Sequence, residues 1–189
     1  MKKMNAGKDG MKVLWLTNIL FPETCRMLGL PEPVLGGWMY AGAQELMKAV
    51  PDLKLAAAMF YPGNGLRRLD GESMTYYLIP APADMNAYRK ELEPFFREAR
   101  YAFGPDVVHI HGSEYPHSLA WVNACGAGNT AVSIQGLSSV CAGFYLGGIS
   151  RRELVKSVTL RDLMRRDTLF AQQRRMKAVS YTHLTLPTN

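Results

Sequence analysis

The sequence predicts an α/β fold, a Rossmann-like doubly wound parallel sheet, and two observations carry that prediction. Short apolar runs at Lys12–Ile19, Leu53–Tyr61, Ser73–Ile79, Val107–Ile110 and Thr130–Ile134 are separated by segments of helical character. The connections are also long, where antiparallel neighbours would need only two-residue hairpin turns. Right-handed crossovers between parallel strands are therefore expected.

The first run, KVLWLTNI at Lys12–Ile19, is almost continuously apolar, the pattern of a parallel strand covered on both faces. A Pro- and Gly-rich loop from Phe21 to Gly37 follows. Trp38–Val50 then has Met39, Ala43, Leu46, Met47 and Val50 at helical spacing and stops before Pro51, which makes it the first helix. Leu53–Tyr61 is a second strand closed by the turn Pro62–Gly65, and Ser73–Ile79 a third closed by Pro80. A long helical stretch is expected from about Ala83 to Phe103, broken or kinked at Pro94. Within PDVVHIHG, Val107, Val108 and Ile110 make a fourth strand, followed by a helix over Pro116–Cys125 and a fifth strand over Thr130–Ile134. Leu137–Ile149, rich in Gly, Ser and aromatic residues, reads as a mobile loop over a site, and Arg152–Lys177 as one or two helices. No internal repeat or low-complexity segment is present.

With 189 residues the chain is of one-domain size and buries roughly 70% of its unfolded surface. Its 48% apolar and 20% charged residues are those of a globular protein, and no run approaches the roughly 20 apolar residues of a membrane span. The polar start, Met1–Gly10, and the interruption of the next run by Thr17 and Asn18 do not fit a secretion signal. Cys25, Cys125 and Cys141 show no CxxC spacing, so a reduced, cytoplasmic protein with buried thiols is expected. The net charge of +6 is concentrated between Arg151 and Lys177, where Arg151, Arg152, Lys156, Arg161, Arg165, Arg166, Arg174, Arg175 and Lys177 face only Glu153, Asp162 and Asp167. Two readings stay open: a solvated helix face, or a surface for anionic lipid headgroups or a phosphate-bearing substrate. A nucleic-acid partner is not expected, because stacking aromatics are not interleaved with these cations.

Ligands of open α/β sheets bind outside the carboxyl ends of the strands, so the polar residues there are the candidates. Gly36 and Gly37 precede the first helix, where they serve either as a plain loop or as a close backbone approach beside free N–H groups. After the fourth strand come His109, His111, Gly112, Ser113, Glu114 and His117. Alternation puts His109 and His111 on one face, and Glu114 and His117 lie one helical turn apart. His111, at the strand's mouth, is the better candidate for hydrogen-bonding a substrate hydroxyl, and His109 the more structural residue. A metal site lacks a third ligand of suitable spacing. Gln135 and Gly136 put an amide side chain and a permissive backbone after the fifth strand. GxGxxG, Walker, GxSxG and HExxH motifs are all absent. The remaining rim of glycine, histidine and neutral hydrogen-bonders suits a polyhydroxylated ligand.

Taken together, the strand ending near Asn18, the Gly36-Gly37 pair, PDVVHIHG followed by SEYPHSLA, and SIQGLSS resemble the N-terminal domain of family 4 retaining glycosyltransferases. The branch found in bacterial capsule and surface-polysaccharide clusters is the nearest, and the resemblance runs from Met11 to about Lys177. It implies the N-terminal, acceptor-side half of a GT-B fold, in which two Rossmann-like domains face each other across a cleft. Gly36 and Gly37 would then lie near the donor phosphates, and His111, Glu114 and His117 on the acceptor side. Gln135 stands where many members carry a histidine, which leaves a contact to the sugar but removes a titratable group. The implied partners are a nucleotide-sugar donor and a saccharide or lipid-linked acceptor at the inner face of the membrane. The implied reaction retains configuration and uses no metal or other cofactor. The donor-side residues would lie beyond residue 177, so this chain alone is expected to be inactive. The last residues, VSYTHLTLPTN at Val179–Asn189, resemble a translated sequencing adaptor and are set aside with His183. The expected organisation is a polar extension at 1–11, one domain at 12–177 and an extraneous tail at 178–189. The alternative is a non-catalytic single domain that binds a sugar or nucleotide.

Overall fold

The computed structural model describes residues 10–85, 88–113, 115–134 and 138–174. The chain divides into two compact units, Met1–Ser133 and Ile134–Asn189. The first contains β1 (Lys12–Thr17), α1 (Pro22–Leu28), α2 (Gly37–Ala49), β2 (Lys54–Tyr61), β3 (Arg67–Asp70), β4 (Thr75–Pro80), α3 (Glu93–Phe103), β5 (Val107–His111), α4 (Pro116–Cys125) and β6 (Thr130–Ser133). The second contains α5 (Ser138–Phe144), α6 (Arg151–Ser157) and α7 (Leu160–Met164).

The sheet order is β3-β4-β2-β1-β5-β6, and every pairing is parallel except β3 with β4. With the antiparallel edge strand left out, the parallel strands run third-second-first-fourth-fifth, which is the Rossmann order. β1 lies at the centre, with Trp15 opposite Ala57 of β2 and His109 of β5.

Strand alternation sorts the side chains into two cores. Leu14 and Leu16 join Ala56, Ala58, Phe60, Tyr77 and Ile79 beneath Phe96 and Ala99 of α3 and Ala120 and Trp121 of α4. Val13 and Trp15 point the other way, with Leu55, Ala57, Met59, Tyr76 and Leu78, toward Phe21 and toward Met39 and Ala43 of α2. Helices on both faces make the sheet doubly wound, as expected. Each large side chain fully buried in these layers contributes roughly 1.5–3 kcal/mol.

Four local features depart from the sequence reading. β3 was not foreseen; it returns antiparallel on β4, so β2 and β4 are joined through an edge strand and not through a helix. Its sequence, RRLD, has no apolar alternation because only Leu69 packs inward, and charge suits an exposed sheet edge. α1 lies inside the expected loop, started by Pro22 and ended by Gly29 at φ 67° with Schellman-type bonds to Arg26 and Cys25. The helical stretch expected from Ala83 is broken at Pro94, as expected, but nothing described of that stretch before Lys90 is helical: only a short 3-10 turn at Lys90–Leu92 leads into α3, and Pro94 sits in the first turn of α3, where its missing N–H costs no helix bond. Finally, Ser138–Phe144 is helical where a mobile loop was expected. Ser and Gly cost a helix less than about 1 kcal/mol each, which burial of Ala142 helps to offset.

α1 is tied to the sheet by a buried carboxylate. Glu23 accepts a hydrogen bond from the Tyr76 hydroxyl and, at 2.6 Å, from the Glu72 N–H. The phenol is held protonated, its pKa raised by burial and by the Glu23 charge. Gly71 admits this approach, since a Cβ there would stand 2.5 Å from Glu23 Oε1. Replacing Tyr76 by Phe leaves the carboxylate with one fewer donor and is expected to cost about 1–3 kcal/mol. Urea unfolding measures this, and an unchanged midpoint would mean that the carboxylate is held by other groups.

Candidate functional site

The strand order reverses between β1 and β5, and the crevice beyond their carboxyl ends is where such sheets take ligands. Two groups from the sequence reading meet there. α2 begins at Gly36, and no side chain caps its start. Its first turn therefore presents backbone N–H groups and the positive end of a 13-residue helix dipole. Trp38, 58% exposed, stands on this turn, and its ring centroid is 6.0 Å from that of His111, the last residue of β5.

The two glycines have different duties. Gly36 adopts φ 85°, and a Cβ there would fall 1.6 Å from Ile19 Cδ1, so both backbone and packing demand glycine. A Cβ on Gly37 would meet nothing within 4 Å, so it faces open space at the helix start. The open approach expected of the pair therefore belongs to Gly37.

His111 is only 4% exposed, yet neither ring nitrogen has a hydrogen-bond partner among the described residues. Its ring packs between Trp15 at 4.4 Å and His109 at 4.1 Å, centroid to centroid. Burial, with the neighbouring His109, lowers its pKa to about 4, so the imidazole is neutral at physiological pH. A buried polar group without partners costs about 1–3 kcal/mol and is uncommon in folded proteins. His109, on the same face as expected, is engaged: its Nε2 lies 2.6 Å from Ser133 Oγ, and burial lowers its pKa too. Gly112, at φ 87°, ends β5 while its N–H continues the ladder to the Ser133 carbonyl.

His117 is not brought beside His111. It belongs to α4, on the face of Phe60, and its ring lies against Phe60 and stacks on Tyr115. Ser118 holds the preceding turn, its hydroxyl bonding the Ser113 and Tyr115 carbonyls. Glu114, Gln135 and Gly136 lie outside the described residues. Sequence reasoning missed Trp15 and Trp38. A tryptophan directly after Gly36-Gly37 was the available signal for the second, whereas the first looked like any strand residue.

Among the described residues, no group of three or more His, Cys, Asp or Glu is placed to hold a metal ion, and no helix is long and apolar enough to cross a membrane. Comparison with protein-family models, curated proteins and solved structures gives no match. The fold and crevice thus define the class: an α/β protein of Rossmann-like strand order, with a candidate ligand site at its topological switch point.

Two outcomes are expected. Gly36→Ala should cost about 1–2 kcal/mol in urea unfolding through strain at positive φ, and Gly37→Ala should leave stability within about 0.5 kcal/mol; equal effects would contradict the division of duties. In addition, the folded pKa of His111, about 4, lies below the roughly 6.5 of an unfolded chain. Between those values the unfolded state binds a proton that the folded state refuses, so stability falls as pH falls through that window, by an order of 2–3 kcal/mol. His111→Phe should flatten that part of the pH profile, and an unaltered slope would locate the effect elsewhere.

Proposed function

We propose that the chain is the acceptor-side half of a retaining glycosyltransferase that moves a sugar from a nucleotide-sugar donor to a saccharide or lipid-linked acceptor in surface-polysaccharide assembly. The observation that carries this reading is the buried His111, without a hydrogen-bond partner among the described residues, beside the uncapped start of α2. Helix N-termini favour phosphate oxygens, through free N–H groups and the dipole together. A neutral imidazole donates one hydrogen bond and accepts another, which matches a sugar hydroxyl. Trp38 adds an exposed aromatic face on which a sugar ring or base can lie. The resemblance to family 4 glycosyltransferases over Met11–Lys177 supports the same assignment, and the Rossmann-like strand order is what one half of a GT-B fold requires.

In this reading the N–H groups of Gly37 and Trp38 stabilise negative charge on the donor's phosphates as the nucleoside diphosphate departs, the electrostatic part of the reaction. His111 orients a hydroxyl, its imidazole neutral at physiological pH before a ligand binds. The donor itself is held mainly by the partner half of the fold.

Titration with uridine diphosphate, followed by tryptophan fluorescence, tests the site. Half-saturation is expected near about 1 mM, a free energy of about −4 kcal/mol. A bound anion raises the His111 pKa from about 4 and so draws a proton onto the ring, which makes binding tighten as the pH falls from neutrality toward that value. His111→Phe should abolish the pH dependence and Trp38→Ala the fluorescence change. A titration without saturation, or one that neither substitution alters, would sink the proposal.

A further inference from the structure

The unit from Ile134 onward carries a surface that the crevice does not account for. α7 is one short helix whose Leu160, Leu163 and Met164 fall at spacings of three and four, on a single face. That face is open: the three side chains are 74%, 59% and 79% exposed. Ile149 before α6 and Val155 within it are exposed as well. The apolar positions alternate closely with cations, Arg161 beside Leu160, Arg165 and Arg166 beside Met164, and Arg151, Arg152 and Lys156 on α6. All six are exposed, and none forms an ion pair within 4 Å among the described residues. Of the acids in this stretch, Glu153 and Asp162 each close a capping box, with Ser150 and Thr159. They are thereby turned toward helix starts.

We propose that the α6–α7 face docks on an anionic lipid bilayer, with Leu160, Leu163 and Met164 as the inserted tip and the surrounding Arg and Lys residues on the headgroups. Apolar tips ringed by cations bind at the headgroup boundary, where the long Arg and Lys stems lie along apolar surface while their charged ends stay with phosphate. Charge complementarity selects this occupant. A second copy of the chain would bring its own net charge of +6 against the same six cations, whereas an anionic leaflet attracts each of them. The two capping boxes fix where the tip stands, because they set the starts of both α6 and α7. Every residue of the docking face lies in the second unit, so the proposal does not depend on what the β1–β5 crevice binds.

Flotation of the full chain with vesicles tests this, using phosphatidylcholine alone and phosphatidylcholine mixed with phosphatidylglycerol. Binding to the mixed vesicles should exceed binding to the neutral ones by at least about tenfold and weaken with added salt. Replacing Leu160, Leu163 and Met164 together by Ser leaves the charge unchanged and should reduce binding about tenfold or more. Arg161→Gln with Arg165→Gln should lower it by roughly ten- to thirtyfold, whereas Lys54→Gln with Arg67→Gln, removing equal charge from the sheet, should change it little. All these positions are exposed, and circular dichroism confirms that each variant folds. Absence of flotation with anionic vesicles would overturn the proposal. So would flotation that the Ser variant retains, or a dimer in solution that the Ser variant dissolves without any vesicle binding.

Discussion

The arrangement of the first unit depends on one constraint, the burial of β1 on both faces. Val13 and Trp15 point to one side and Leu14 and Leu16 to the other, and all four are buried. A strand without a solvated face needs a covering layer on each side and a hydrogen-bonded neighbour on each edge. α2 with its neighbours covers one side and α3 with α4 the other, while β2 and β5 take the edges. The chain can leave β1 in one direction only if it later returns to the opposite edge. That return is the switch point at which the crevice opens.

The crevice is thus a by-product of packing that chemistry can use. Pairing of Trp15 with His109 sets the register of β5, and the two-residue period then puts His111 on the Trp15 side, under the start of α2. Gly36 allows α2 to begin so close to Ile19. The cost falls on His111, whose buried nitrogens have no hydrogen-bond partner among the described residues, and on α2, whose first turn has no side-chain cap. Two unmet hydrogen-bonding demands at one place, among the described residues, are the physical case for a ligand. Fold alone would not make that case, since Rossmann-like sheets serve many functions.

Unmet demand of the opposite kind marks the second unit. There Glu153 and Asp162 are engaged locally by capping boxes, and the apolar side chains of α7 are left open. A five-residue helix has too little surface to bury its own apolar face, so whatever covers it must come from outside the helix.

The sequence alone was enough for the five parallel strands, the helices over Pro116–Cys125 and after Gly36, and the shared face of His109 and His111. Each of these follows from a local period or a breaker residue, and local rules are legible without a partner. Hidden from it were β3, whose charged residues pair only because β4 is there; the division of duties between Gly36 and Gly37, which Ile19 decides; and the separation of His111 from His117 onto opposite faces. Those features depend on which surfaces meet. Only the tertiary structure determines that, because burial and hydrogen-bond satisfaction belong to neighbours distant in the chain.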